Sequence, residues 1–557
     1  IIKNANIIDG LGNPPFFGDV AILKNRIAEI GTVAEPAHKI VDVAGLTLTP
    51  GIIDLHTHYD AQLTWDPSAS PSSSLGVTTV VIGNCGFGIA PCSPEMRELV
   101  IANLSVVEGM NLAALRDGVQ WGFESFAEYL SFLGQKKLVS NVAAFVGHSP
   151  VRIAVMGSQA SERVATNEEI SKMKAIVAEA LAAGAIGFAS SVGANHIGHG
   201  GVPMPSRLAS SNEFFSLVGV LGEARRGVFH IGAGEGERLG TGELESFALA
   251  TGRPVIFSPV FYNPVFPERA RERLAACGPA HERGAELFGQ VSCQPLSHDF
   301  TLENAYLMYS LEVWSGLKAA NRKTLIETFG DPMFRDQFRA GFEKPQKGRI
   351  FYGDWTKVDV ISCIREENQF LEGRTIAEIA ETQRLDPVDV FFDLALSEDL
   401  ETCFNAKVMN SDDKAVGELI MSKFSVIAQS DAGAHLDYFC DAGYGLYFLE
   451  HWVRRHSTLT LSEAIRRLTS FPADLYRIPE RGRIKPNAFA DLILFDPETV
   501  GVSRSRRVKD LPGGASRLVR NPLGLKSVWV NGRQTFDGTN ILPDGQGAGC
   551  VLDHFNA

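Results

Sequence analysis

No stretch of the 557 residues holds the roughly 18–20 consecutive apolar residues that a membrane-spanning helix needs, so a bilayer is not an expected partner. No segment has the charged, apolar and small-residue order of a secretory leader either. The chain opens directly in a strand-like run, Ile1 to Ile8, as a chain whose native start lies upstream would, so that second absence carries little weight. Cysteine is sparse: eight residues, at 85, 92, 277, 293, 363, 403, 440 and 550, with no CxxC pair. This does not read as a disulfide framework, and a reducing cytoplasm is the simpler expectation. Cations are also in short supply, 52 Lys+Arg against 65 Asp+Glu for a net charge of −13. Nucleic-acid affinity rests on clustered cations, and the densest basic stretch, Arg504 to Lys509, is short enough to be a solvated loop or edge, so no nucleic-acid partner is expected. Repeats and low-complexity tracts are missing, and Pro67 to Ser74 reads as a local Ser/Pro-rich loop.

What is present is ordinary globular composition, 45% hydrophobic and 21% charged, at a size that supports a large core. The first fifty residues read as short strands, with Lys24–Asn25 as a tight hairpin turn. The far end is similar: Ala490 to Phe495 and Ser527 to Val530 are strand-like, and Asn531–Gly532 is a strong hairpin signal. Both termini are therefore expected to build one small β-sandwich domain, residues 1–50 with 480–557. Between them lie eight apolar runs of β character: Ile52 to His56, Thr78 to Ile82, Val142 to Val146, Ile186 to Ala189, Val228 to Ile231, Val255 to Phe257, Leu287 to Val291 and Phe424 to Ala428. Helical patterns separate several of them. The clearest opens with a Thr166/Glu169 capping box, carries Ile170, Met173, Val177 and Leu181 on one stripe and stops at Gly184; another spans Glu213 to Arg226. Continuous apolar strands alternating with helices imply a parallel sheet, and eight units predict an α/β fold of the (β/α)8 TIM-like barrel type over 51–479. More than a hundred residues part the seventh and eighth runs, too long for a bare loop, so a helical insertion is expected at 296–360, followed by a barrel helix near Pro387 to Glu398.

Barrel chemistry sits where strands end. The first run ends in His56–Thr57–His58; residues two apart on a strand point the same way, so both imidazoles can reach one cation. The second runs into Gly83–Asn84–Cys85–Gly86. A cysteine between glycines can present a thiolate to a metal, though taken alone it reads first as a small buried hydrophobe. The fifth carries His230, followed by Gly232 and Gly234, either a ligand or a satisfied core residue. The eighth leads to Asp431 and His435; a carboxylate there can ligate metal, accept the proton of an activated water, or simply cap the next helix. Imidazoles and a carboxylate from separate strands make a hydrolase arrangement, with Asp431 as general acid/base.

At this point the motifs resemble the amidohydrolase superfamily, through Pro50–Gly51–Ile52–Ile53–Asp54–Leu55–His56–Thr57–His58, and within it the N-acyl-D-amino-acid deacylase branch, through Gly76 to Val80 and Gly83–Asn84–Cys85–Gly86. The similarity extends over nearly the whole chain, including Gly482 to Pro486 and Ala490–Asp491–Leu492. The resemblance implies zinc, held tightly by Cys85 and His230, with His56 and His58 facing a second position and Asp431 as the general acid/base. No lysine ends the third or fourth strand to supply the carbamylated bridge of the dihydroorotase and hydantoinase branches. The branch's third tight ligand, a histidine after the sixth strand, is replaced by Ser258, a poor neutral ligand for zinc. Either the site shifts toward His56, His58, His230 and Asp431 or another residue fills in, and one bound zinc is favoured over two. The branch's arginine after Asp431 has no counterpart in Asp431 to Gly445. On the substrate side Arg207 is the candidate for pairing a carboxylate, or forms a surface salt bridge. His148 is the candidate for binding the scissile carbonyl oxygen, or is a hydrogen-bonded loop residue. Ser258 and Tyr262 are candidate pocket residues, while His196 and His199 read as loop residues of a Gly-rich segment that could form a lid. Three functions stand open: a zinc-dependent amidase acting on small N-acyl-D-amino acids, a metal-dependent hydrolase of a cyclic or peptide-like amide, and a barrel scaffold without catalysis. A homodimer is an expectation from the family alone.

Overall fold

Runs buried on both faces must hydrogen-bond to neighbours of the same kind, and the eight apolar runs do so. The computed structural model describes residues 1–232, 238–317, 320–343 and 349–556. Gly234, and residues 318–319 and 344–348 of the expected insertion, lie outside the described residues. The chain forms two units, one of residues 1–261, 268–293 and 417–557, the other of 262–267 and 294–416.

In the first unit the strands Ile52–Asp54, Val77–Ile82, Asn141–Gly147, Gly187–Ser191, Val228–Gly232, Val255–Val260, Leu287–Val291 and Ser425–Ile427 form one sheet in chain order. Every neighbouring pair is parallel. A parallel bridge between Thr57 and Ala432, just past the first and eighth strands, links the two outer members of the sheet. Ile53, Leu55, Val81, Phe145, Val228, Ile256 and Val426 fill its interior with less than 3% exposure each, as a TIM-like barrel requires. The Thr166 helix runs Asn167–Ala183 with both halves of its capping box formed and Gly184 left-handed at its end; the second predicted helix is Ser211–Ala224.

The terminal strands hydrogen-bond into one further sheet. Ile2–Ile7 and Thr47–Pro50 lie parallel, and Thr47–Pro50 pairs antiparallel with Leu492–Phe495, which pairs with Leu525–Val530. The Lys24–Asn25 and Asn531–Gly532 turns each close a hairpin, with Leu23 opposite Arg26 and Val530 opposite Arg533.

The second unit has its own core. Leu296–Phe300, Cys403–Met409 and Val358–Ser362 make a three-stranded antiparallel sheet. Against it lies an aromatic cluster: Phe392 stacks on Phe329 at 5.2 Å and on Trp314 at 6.4 Å, with Phe338, Phe391 and Phe404 around them. The helix Pro387–Ser397, expected beside the barrel, instead gives Phe391 and Phe392 to this core. The adjacent aromatics explain the difference, since a wide apolar face of this kind is buried best among other rings. This unit contains strands as well as helices and is wider than the segment 296–360. Among the described residues no helix is long and apolar enough to cross a membrane.

Candidate metal centre

Three backbone segments of the first unit set the site. After the first strand, His56 and His58 project from an extended stretch tied to the loop after the eighth strand: Ser430 Oγ donates to the His56 carbonyl (3.0 Å), and the His58 N–H donates to the Ala432 carbonyl (2.8 Å). After the second strand the chain turns through left-handed Gly83 (φ 79°), Cys85 (φ 55°) and Gly86 (φ 71°). A Cβ on Gly83 would lie 2.4 Å from the Phe145 carbonyl oxygen, so only glycine lets this loop press onto the third strand. Asp431 is itself left-handed, at φ 45°. Non-glycine residues pay for such conformations only where surrounding structure enforces them, and here they aim side chains inward.

The side chains converge. His56 Nε2 lies 3.6 Å from Cys85 Sγ and 3.2 Å from Asp431 Oδ1, while His58 Nε2 lies 3.7 Å from the same Asp431 oxygen. One ligand atom each from His56, His58 and Cys85 fall within 4.8 Å of one another. Gln290 orients His56: its amide nitrogen donates to Tyr476 Oη (3.1 Å), turning its carbonyl oxygen to His56 Nδ1 at 2.6 Å. Nδ1 therefore carries the proton and Nε2 offers its lone pair to the cluster.

Electrostatics support a cation here. Burial pulls His56 down to about 4, keeping it neutral. Burial also opposes charge on His58, yet the Glu108 and Asp431 carboxylates outweigh it and lift His58 to about 9. Burial pushes Cys85 well up, and Glu108 and Asp54 up to about 7 each. Asp431 goes the other way: burial would raise it, but His56 and His58 hold it well below the usual carboxylate range. Its Oδ1 is buried without a hydrogen bond. Imidazoles, a thiol and an unsatisfied carboxylate oxygen gathered this closely fit a thiophilic divalent ion such as zinc.

Of the residues singled out from sequence, His56, His58, Cys85 and Asp431 are thus brought together. His230 is adjacent, its ring 5.1 Å from that of His56, but its Nε2 is taken by Ser258 Oγ at 3.0 Å. Cys85 is grouped with His56 and His58, the two histidines that the resemblance assigned to a second position, while His230 keeps its Nδ1 buried without a hydrogen bond beside them. His148 begins a helix, His148–Met156, and spends both ring nitrogens elsewhere: Nδ1 on Ser190 Oγ (2.7 Å) and Nε2 on Glu213 Oε1 (2.8 Å), beside the Arg152–Glu213 pair. It therefore has no ring nitrogen for a substrate carbonyl. Arg207 donates to the His196 carbonyl (3.1 Å), and Tyr262 belongs to the second unit, where its N–H donates to Asn410 Oδ1 (2.6 Å).

Three contributors were not legible as such. Glu108 follows the helix Arg97–Val107 and brings Oε1 to 3.2 Å from His58 Nδ1. His435 brings Nε2 to 3.9 Å from the other Glu108 oxygen. Gln290 lay in the seventh run as an apparent core residue. The only sequence signal for Glu108 was a carboxylate directly after an apolar helix and before Gly109. His196, read as a loop residue, packs its ring on Phe87 at 5.1 Å and bonds Ser191 through Nδ1; burial pulls it down to about 3, so it is neutral.

The amidohydrolase family model matches residues 39–232 and 319–536. A D-aminoacylase of Alcaligenes xylosoxydans xylosoxydans is 28% identical over 563 residues, spanning 99% of this chain and 97% of that protein. An N-acyl-D-aspartate deacylase of the same organism is 26% identical over 539 residues, spanning 97% of this chain and 92% of that protein. Among solved structures, an N-acyl-D-glutamate deacylase of Bordetella bronchiseptica complexed with zinc and a phosphonate inhibitor superposes with a TM-score of 0.66 at 24% identity, covering 99% of each chain.

Proposed function

The chain belongs to the amidohydrolase family, and on that premise we propose that it is a zinc-dependent amide hydrolase cleaving N-acyl-D-amino acids to a carboxylate and a free D-amino acid. The observation that carries the proposal is the convergence of His56, His58 and Cys85 with the unsatisfied Asp431 oxygen. Full-length relatives named for D-amino-acid deacylation support the substrate class, and the zinc in the similar N-acyl-D-glutamate deacylase supports the metal.

His56, His58, Cys85 and Asp431 would hold the ion. When bound, zinc supplies a nucleophile from water at neutral pH and polarises the scissile carbonyl. The chain's own groups do the rest. Gln290 keeps His56 in the tautomer whose Nε2 faces the cluster. Asp431, ionised at neutral pH, takes the proton of the attacking water on a carboxylate oxygen and returns it to the departing amine nitrogen. One ion suits this chain better than two, because Ser258, a poor neutral ligand for zinc, stands where the branch has its third tight histidine.

The same reading takes the terminal sheet as a small β-sandwich domain of 1–50 with 480–557, the barrel as 51–479, and the insertion within it as the second unit. With all eight cysteines free, a cytoplasmic location is part of the reading, as is a homodimer. A cyclic or peptide-like amide is the second reading, favoured by one observation: no arginine follows Asp431 before Gly445 to receive an amino-acid carboxylate. A panel of N-acetyl and N-formyl amino acids of both hands beside cyclic amides decides between them. Amine release from the D-enantiomers supports the first reading, and turnover confined to cyclic amides replaces it. Absence of bound zinc, with no activity on adding it, would leave a scaffold.

A further inference from the structure

A buried carboxylate at a helix C-terminus is in the least favourable place for an anion, because the last carbonyls already point negative charge there. Glu108 is in that place: it caps the C-terminus of Arg97–Val107 with 2% exposure. Its surroundings show what offsets the cost. Oε1 lies 3.2 Å from His58 Nδ1 and Oε2 3.9 Å from His435 Nε2, while its backbone carbonyl accepts the His435 N–H at 2.6 Å. No arginine or lysine pairs with it among the described ion pairs. Its strongest partner is therefore a ring whose other nitrogen, His58 Nε2, faces Asp431 and the Cys85–His56 cluster.

Resting on the zinc reading above, we propose that Glu108 is a positioning residue for the metal centre: its carboxylate grips His58 at Nδ1, fixing the ring's rotation and proton so that Nε2 is presented to the ion. The two histidines are then oriented by different means, His56 by the neutral amide of Gln290 and His58 by an anion. A carboxylate behind a ligating imidazole raises the ligand's basicity as well as orienting it.

The test is Glu108→Gln, which keeps shape and an acceptor oxygen but removes the charge. Zinc affinity of the apo-protein, measured by competition with a chromophoric chelator, falls about 10–100-fold. In parallel, 15N-histidine spectra of the wild-type apo-protein show a downfield, slowly exchanging Nδ1 proton on His58, assigned by its loss in His58→Gln. In Glu108→Gln that proton moves upfield and exchanges faster, a change that general loosening of the fold would not confine to one ring. Unchanged zinc affinity with an unchanged His58 signal overturns the proposal. If Glu108→Gln does not fold, the wild-type spectrum decides alone: an ordinary, fast-exchanging His58 Nδ1 proton overturns it. If the wild-type protein binds no zinc, the zinc reading falls by itself, while the spectrum still establishes or refutes the grip of Glu108 on His58.

Discussion

Replacing Asp431 with asparagine removes a charge and a proton acceptor while preserving shape and one oxygen toward the cluster. Asp431 Oδ1 is 3.2 Å from His56 Nε2 and 3.7 Å from His58 Nε2, and the charged His58 holds the carboxylate ionised against the pull of burial. With an effective dielectric near 20, the charged His58 at that distance attracts the carboxylate by about 4.5 kcal/mol. A positioned acid/base is worth about 10²–10⁴-fold, or ~2.7–5.4 kcal/mol at about 1.36 kcal/mol per tenfold. Asp431→Asn is therefore expected to lower turnover of an N-acetyl-D-amino acid by about 10²–10⁴-fold. At saturating zinc the content per chain stays unchanged, because three of the four ligands, His56, His58 and Cys85, still converge. The assay is continuous detection of released primary amine, with metal content measured on the same preparation. Turnover within about threefold of wild type at equal zinc content would refute the role given to this carboxylate. Loss of zinc at saturating metal together with activity would show that holding the ion, more than carrying the proton, is what the carboxylate contributes.

Three further outcomes are expected. Cys85→Ala weakens zinc binding by at least about tenfold in a chelator competition, since it removes the soft ligand of the three-residue cluster. Gly83→Ala, whose new Cβ would lie 2.4 Å from the Phe145 carbonyl oxygen at φ 79°, lowers the melting temperature and the zinc content together. Breaking the buried Arg152–Glu213 pair with Glu213→Gln costs about 3–5 kcal/mol in urea unfolding at pH 7. Burial would raise Glu213, but His148 and Arg152 outweigh it and hold it below 4.5, so its stabilisation is complete above the unfolded carboxylate range and is lost as pH falls through the folded value. Burial holds His148 below 6.5, so stability also falls as pH drops below the unfolded histidine range. Melts between pH 3 and 7 should accordingly show a shallower acid loss in Glu213→Gln than in wild type.

The barrel was legible because strands buried on both faces must be apolar throughout, and nothing else in the chain repeats that pattern eight times. His56 and His58 were legible because strand geometry alone puts residues two apart on one side. Cys85 was legible because glycines on either side of it mark a loop that must turn tightly. The rest depended on folding at a distance. Glu108 reaches His58 from the end of a helix, and its neighbours in the chain do not indicate which ring it meets. His148 stands at a strand end like the ligands, but its ring turns to Ser190 and Glu213, partners contributed by the fourth strand and the helix after it. The helix at Pro387–Ser397 was expected as a helix near Pro387 to Glu398, yet a helical stripe does not say which core it faces.

The sheet shared by the two ends of the chain carries a consequence for biosynthesis. Leu48 hydrogen-bonds opposite Leu494, so Thr47–Pro50 emerges from the ribosome long before its antiparallel neighbour exists. At about 5–20 residues per second the interval is on the order of tens of seconds. During that time an apolar strand edge stands open beside a nascent barrel, the kind of surface that chaperones cover and that aggregates when they do not. Expression slowed by cold or by rare codons in the last third of the message should lengthen that exposure, and soluble yield, more than the stability of the finished protein, should register it.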